Sequence, residues 1–203
     1  MRTRSFRTFL RRRSLVSLVI LLLSALTLAY GIASGIAQES EKKEREIETR
    51  IPAHLPIKLK FRNVEKVKDL KNEDWIGDLE VEVTNTGTKP IYYLYIELLV
   101  PEVVKDDKAV TKTVGFPLRY GRIQLVDFAE PIRSDDVPLL PGESAVIKVK
   151  TTQATPWKSL RAKGRYVNPK KLQFWFELLN YGDGTGFRSP EGLRVPKEQR
   201  AEF

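Results

Sequence analysis

The residues best equipped for chemistry fall in three places: His54, the pair Asp135-Asp136, and the run Asn180-Tyr181-Gly182-Asp183-Gly184-Thr185-Gly186-Phe187. His54 is the only histidine, and the chain has no cysteine. A catalytic or metal-bound histidine needs partners: a nucleophile and an orienting carboxylate, or further ligands. A Ser-His-Asp set here would rest on His54 alone, in an extended segment between Pro52 and Pro56. His54 is therefore expected to be a surface residue. In the 180–187 run, Asn180, Asp183 and Thr185 offer oxygens, and the glycines let the chain curl around a Ca²⁺. Calcium takes about six to eight oxygens, whereas this run has a single carboxylate and lacks EF-hand spacing. The expectation is a glycine-rich turn closed by an Asx-type bond from Asp183. Ca²⁺ held by Asn180, Asp183 and Thr185, completed by Asp127, Asp135 or Asp136, is the alternative. Glycoside hydrolysis needs two carboxyls ~5–9 Å apart across a cleft. Neighbours such as Asp135 and Asp136, just before Pro138, more naturally start a turn. No catalytic residue is assigned, no cofactor is expected, and an envelope hydrolase is the least favoured reading.

Binding has better material. Tyr92, Tyr93, Tyr95, Tyr120, Trp157, Tyr166, Trp175 and Tyr181 are many aromatics for a chain of this size. Rings on one exposed face can stack on sugars or peptide, and Arg119 and Arg122 beside Tyr120 add donors for an anionic polymer or acidic partner. The candidate contact residues are Arg119, Tyr120, Arg122, Trp175, Tyr181 and Phe187. The competing use of such rings is the core, which strands ask of them. Tyr93, Tyr95, Phe174 and Phe176 are expected there, while both uses stay open for Trp175 and Tyr181.

Charge and hydropathy say where these groups work. Residues 1–37 begin with six arginines (Arg2, Arg4, Arg7, Arg11, Arg12, Arg13) and no acid, followed by an apolar run from Leu15 to Ala29 and the small-residue stretch YGIASGIA. That order is the pattern of a membrane-directed segment. The 15-residue apolar run suits a signal peptide cut after Ala37, with Gly35 and Ala37 at the −3 and −1 positions. Extension through Ile32, Ala33, Ile36 and Ala37 gives 23 residues from Leu15, enough for a hydrophobic helix that spans as an anchor. The arginines stay cytoplasmic in both cases, so the remainder faces outward, periplasmic or extracellular. The whole chain is +9, and the leader supplies six of those charges. A nucleic-acid reading of the high pI is therefore rejected.

The rest suits one domain without disulfides. Residues 38–50, QESEKKEREIETR, carry five acids, four bases and one large apolar residue, and read as a solvated stalk. From Ile51 the pattern becomes period-2: Ile57, Leu59 and Phe61 alternate with Lys58, Lys60 and Arg62, and Leu79, Val81 and Val83 with Glu80, Glu82 and Thr84. Residues 85–90 read as a turn and 91–100 as a central strand. Further strands are expected at 122–128, 144–150 and 170–179. A single short helix is expected to start at Thr155-Pro156, and 188–203 to be a loose tail. Short strands separated by turns make an all-β, antiparallel sandwich over 51–187.

LEVEVTNTGTKPI and LLPGESAVIKV resemble the strand-turn-strand and Pro-Gly-Glu turn of immunoglobulin-like modules. Together with FPLRYGR, DDVPLLPGE and NYGDGTGF, they make residues 51–187 resemble a group of uncharacterised exported bacterial proteins. The resemblance implies an immunoglobulin-like β-sandwich and transfers no activity. The functional expectation is a non-enzymatic binding or assembly module of the bacterial cell envelope. Its partner would be an envelope protein or polymer, and a Ca²⁺-binding structural sandwich is the alternative.

Overall fold

The computed structural model describes residues 44–105 and 112–196. Its strands form two sheets. One contains β4 (Tyr93–Val100) between β5 (Val114–Tyr120) and β7 (Lys171–Asn180), then β8 (Gly186–Arg188) and β9 (Leu193–Val195), with β1 (Glu46–Arg50) also on β7. The other runs β2 (Ile57–Arg62), β3 (Glu80–Asn85), β6 (Ser144–Lys148). All pairings of named strands are antiparallel except β1 with β7. The molecule is thus mostly antiparallel β, with few helices, as the period-2 patterning requires.

Alternation decides the inward faces. Leu59 pairs with Val83 and Phe61 with Val81, which turns the charged partners of both strands outward. Leu94, Ile96, Leu98 and Val100 of β4 are fully buried, as are Leu172, Phe174 and Phe176 of β7. These residues and Val81, Val83 and Ile147 of the smaller sheet belong to one hydrophobic cluster. Phe61 and Phe174 meet across the sheets with ring centroids 4.7 Å apart. Each such side chain contributes about 1.5–3 kcal/mol when fully buried. Two helices close one end of the core, α2 (Trp75–Asp78) and α3 (Thr151–Ala162). Trp75 packs edge-on against Trp157 at 5.9 Å, and Phe116 meets Trp157 at 5.6 Å.

Several elements differ from the sequence expectation. Residues 46–50 are not a solvated stalk but β1, in parallel register with 171–175. Ile47 packs on the core while Glu46, Glu48 and Arg50 face outward, so the strand needs only one large apolar residue. Arg45, read as a linker charge, is 1% exposed. Its guanidinium donates to Pro169 O (3.0 Å), Val67 O and Asn168 Oδ1 (3.1 Å), and lies 5.1 Å over the Trp75 ring.

The strand expected at 122–128 is instead a 3₁₀ turn at Ile123–Val126, which buries Leu125 and leaves Ile123 exposed. Arg122 bonds forward to Glu130 and Asp136, drawing the chain into a loop. β5, where no strand is expected from the sequence, carries Pro117. It pairs on one side only, with β4, and a missing N–H is tolerated at a sheet edge. Helix α3 begins at Thr151, with Pro156 inside it, and is joined by α1 (Val64–Lys68) and α2, so a single helix undercounts them. Within the expected tail, Leu193–Val195 pairs with β8. Residues 1–37, where a hydrophobic helix was expected, lie outside the described residues. Among the described residues no helix is long and apolar enough to cross a membrane.

Candidate functional site

The Arg119–Arg122 stretch and the 180–187 loop come together at one end of the larger sheet. Tyr92 and Asn180 join them. Tyr92 N donates to Asn180 O at 3.0 Å, and the buried Asn180 side chain donates to Leu125 O at 2.8 Å. Gly121 has φ +84 and lies against the Tyr92 carbonyl so closely that a Cβ would overlap it. Only glycine meets both demands there.

The side chains then diverge. Tyr120 turns inward to the rim of the core, and its hydroxyl donates to Val137 O at 2.9 Å. Arg122 makes a two-pronged contact with Asp136 (2.8 and 3.0 Å) and also donates to Glu130 (2.6 Å) and Pro131 O (3.0 Å). The Arg122 hydrogen bonds, followed by the Arg133 backbone N–H, hold the Asp136 carboxyl down to about 2. Asp136 is thus a structural anchor of the 123–136 loop.

Arg119 lies on the outer face of the sheet, 4.8 Å over the Tyr95 ring. The Tyr95 hydroxyl donates to Glu97, and burial first, then that carboxylate, pushes it up to about 12. Trp175 shares this face, with Arg50 4.5 Å over its ring. It stands six residues before Tyr181, ~20 Å along the strand, so it belongs to a different region of the molecule. Phe187 is buried, its ring 6.2 Å from Tyr181 and 6.0 Å from His54.

The oxygens offered for Ca²⁺ are engaged in the turn. Asn180 Oδ1 accepts from Gly182 N at 2.6 Å. Asp183 Oδ1 accepts from Thr185 N (3.0 Å) and Oγ1 (2.5 Å), while Oδ2 takes the Lys89 ammonium at 2.8 Å. Burial opposes ionisation of Asp183, but Lys89 and Thr185 together hold its carboxyl below the usual range. A cation at Asp183 would have to displace Lys89. Asp127 accepts from Ala129 N at 2.9 Å. Among the described residues no three His, Cys, Asp or Glu side chains converge as a metal site. His54 Nε2 is hydrogen-bonded to Gly192 O at 2.9 Å, which ties it to the β8–β9 turn.

Two open clefts flank the β8–β9 hairpin and share Val195 and Pro196. One, of about 450 Å³, is lined by Lys89, Tyr181, Thr185, Phe187 and Arg194. The other, of about 1180 Å³, lies between the 126–131 loop and Leu178, Gly182, Asp183 and Arg188. The smaller cleft has two cations and no carboxylate in its lining. Lys89 stands 5.2 Å over the Tyr181 ring, and Arg194 stands 6.0 Å over Phe187. Sequence reasoning missed Lys89, Arg188 and Arg194. Lys89 sits in a turn remote in sequence, and the two arginines sit at the β8–β9 hairpin, partly hidden in the expected tail. The available signal was NYGDGTGF followed by a short alternating segment, LRV, after a Pro-Glu-Gly turn.

Comparison with protein-family models, curated proteins and solved structures returns no match to this chain.

Proposed function

We propose that the chain is a non-enzymatic, immunoglobulin-like binding or assembly module on the outer side of a bacterial cytoplasmic membrane, contacting its partner at the β8–β9 end. The partner class is an envelope protein or polymer. The observation that carries this reading is the pair of clefts, whose walls include Tyr181, Phe187 and the 182–185 loop. Their volumes lie near the range in which proteins hold small ligands or short segments of a polymer. Aromatic rings beside cations, Lys89 over Tyr181 and Arg194 over Phe187, suit recognition, since rings supply contact area and a guanidinium supplies directed donors. Support for non-enzymatic use is that two of the three acids lining the larger cleft are tied to cations, Asp183 to Lys89 and Glu130 to Arg122, while the third, Asp127, accepts from Ala129 N. The immunoglobulin-like assignment draws on the two sheets sharing one core and on the LEVEVTNTGTKPI and LLPGE turns.

The test is photo-crosslinking in cells, with a photoreactive residue at Tyr181 or Arg194 of the full chain and a control at Thr152. The expected result is a discrete envelope adduct from the two cleft positions and none from the control. Equal or absent crosslinking at all three sinks the reading. Sequencing the N-terminus of the membrane and soluble fractions separates a retained anchor from a cleaved leader.

A further inference from the structure

Residues 144–176 carry eight cations, Lys148, Lys150, Lys158, Arg161, Lys163, Arg165, Lys170 and Lys171, and no Asp or Glu. In the fold part of this run becomes an exposed ledge at the end of the domain opposite the clefts. Lys158, Arg161 and Lys171 pair with Asp74, Glu73 and Glu46, respectively. Lys163, Arg165 and Lys170 are exposed and make no ion pair among the described residues. Lys105 joins them, its backbone N–H donating to Arg165 O at 3.1 Å. Of the described acids near this end, Glu44 is held by Lys68 at 3.7 Å and Asp69 accepts from Lys71 N at 2.8 Å.

The chain enters the domain at the same place. Arg45 N donates to Lys68 O, Glu46 N donates to Lys170 O, and the Arg45 guanidinium grips Asn168 and Pro169. The apolar leader segment ends at Ala37, seven residues before Glu44. Seven residues reach at most about 25 Å when fully extended. A membrane that holds the leader up to Ala37 is therefore tied by no more than about 25 Å of chain to Glu44.

We infer that the ledge formed by Lys105, Lys163, Arg165 and Lys170 seats on anionic lipid headgroups, leaving the β8–β9 end directed away from the bilayer. It rests on the reading of residues 1–37 as membrane-directed. Clusters of lysine and arginine next to a membrane segment bind anionic headgroups by charge, an attraction that salt screens over about 8–10 Å. The aromatics of the same run do not favour nucleic acid. Trp157 is 2% exposed and Tyr166 packs on the core, so the ledge offers charge without stacking platforms.

Because the chain has no cysteine, single labels are unique. The full chain, labelled with a fluorophore at Ala162→Cys or Ser134→Cys, is reconstituted in phosphatidylcholine vesicles with or without about one-third phosphatidylglycerol, each with a headgroup-borne quencher. Quenching at 162 is expected to exceed that at 134 several-fold in anionic vesicles only. It is expected to collapse in 0.5 M salt or in Lys163→Glu/Arg165→Glu/Lys170→Glu, whose fold is checked by circular dichroism. Equal quenching at the two positions, or quenching indifferent to lipid charge and salt, overturns the inference. Retention of the chain in neutral vesicles reports the leader separately. Retention without selective quenching at 162 fails the ledge and spares the leader. Sedimentation with anionic vesicles alone, lost in the triple variant, supports the ledge without it. Salt-sensitive binding of duplex DNA with no quenching at 162 also overturns it.

Discussion

Arg45 carries a positive charge into the interior with no carboxylate in hydrogen-bond contact among the described residues. Burial, followed by the nearby Arg161, lowers its pKa to about 10, still high enough to keep the charge at neutral pH. Carbonyls and an amide oxygen solvate it in place of water. Arg45→Met would leave Val67 O and Pro169 O without a donor, at ~1–3 kcal/mol for each buried orphan. The expected loss is therefore ~2–6 kcal/mol, read as a fall in urea midpoint, and Arg45→Lys should recover only part of it because an ammonium lacks the fork. Asp136 makes a different kind of prediction. Its pKa is depressed in the fold, so the stability it contributes is complete above the ordinary carboxylate value near 3.8 and disappears as pH falls through about 2. Asp136→Asn should lower stability at pH 7 and flatten its pH dependence between about 4 and 2, as measured by denaturant titration across that window. These roles have unequal traces in the sequence. Asp136 follows Arg122 at loop distance, but nothing in QESEKKEREIETR marks Arg45 as buried, because its partners are carbonyls from segments far along the chain.

At the scale of elements, β1 and α3 show where local pattern stops being informative. β2, β3 and β7 are legible because each repeats large apolar residues at period 2, and β4 because residues 91–100 are apolar on both faces apart from Glu97. β1 offers only Ile47 to the core, and its charges satisfy helix pairing rules as well as strand rules. Tertiary pairing with β7 decides between them. Ile47→Asp should detach this strand, costing several kcal/mol and giving fast hydrogen exchange at the β1–β7 amides while the β2–β3 amides stay protected. Retained protection at β1 would contradict the assignment. In α3, Pro156 looks like a first-turn residue, yet the helix starts five residues earlier because Gln153 N and Ala154 N already bond Lys150 O. Pro156 is exposed and removes one interior hydrogen bond. Pro156→Ala should therefore raise the thermal midpoint, by an amount equivalent to about 1–3 kcal/mol. An unchanged or lower midpoint would show that the ring is stabilising where it stands.

For the molecule as a whole, the sequence conveys the class of architecture and the end of the sheet at which the glycine-rich loop lies. It could not convey the clefts, since Lys89 and Tyr181 meet only once β3–β4 and β7–β8 are folded together. The six proposed contact residues are correspondingly dispersed. Tyr181 and Phe187 line one cleft, Arg122 is spent inside its loop, and Arg119 and Trp175 lie on the outer sheet face.

The parallel pairing of β1 with β7 has a mechanical consequence. A pull on the chain ahead of Glu44, directed along β1, loads the Glu46–Arg50 ladder in shear, so its hydrogen bonds must yield together instead of peeling one by one. Arg45 sits at the point where such a load would enter, pinned to Val67, Asn168 and Pro169. Tension applied along β1 from its N-terminal side would therefore have to break the ladder and the Arg45 contacts together.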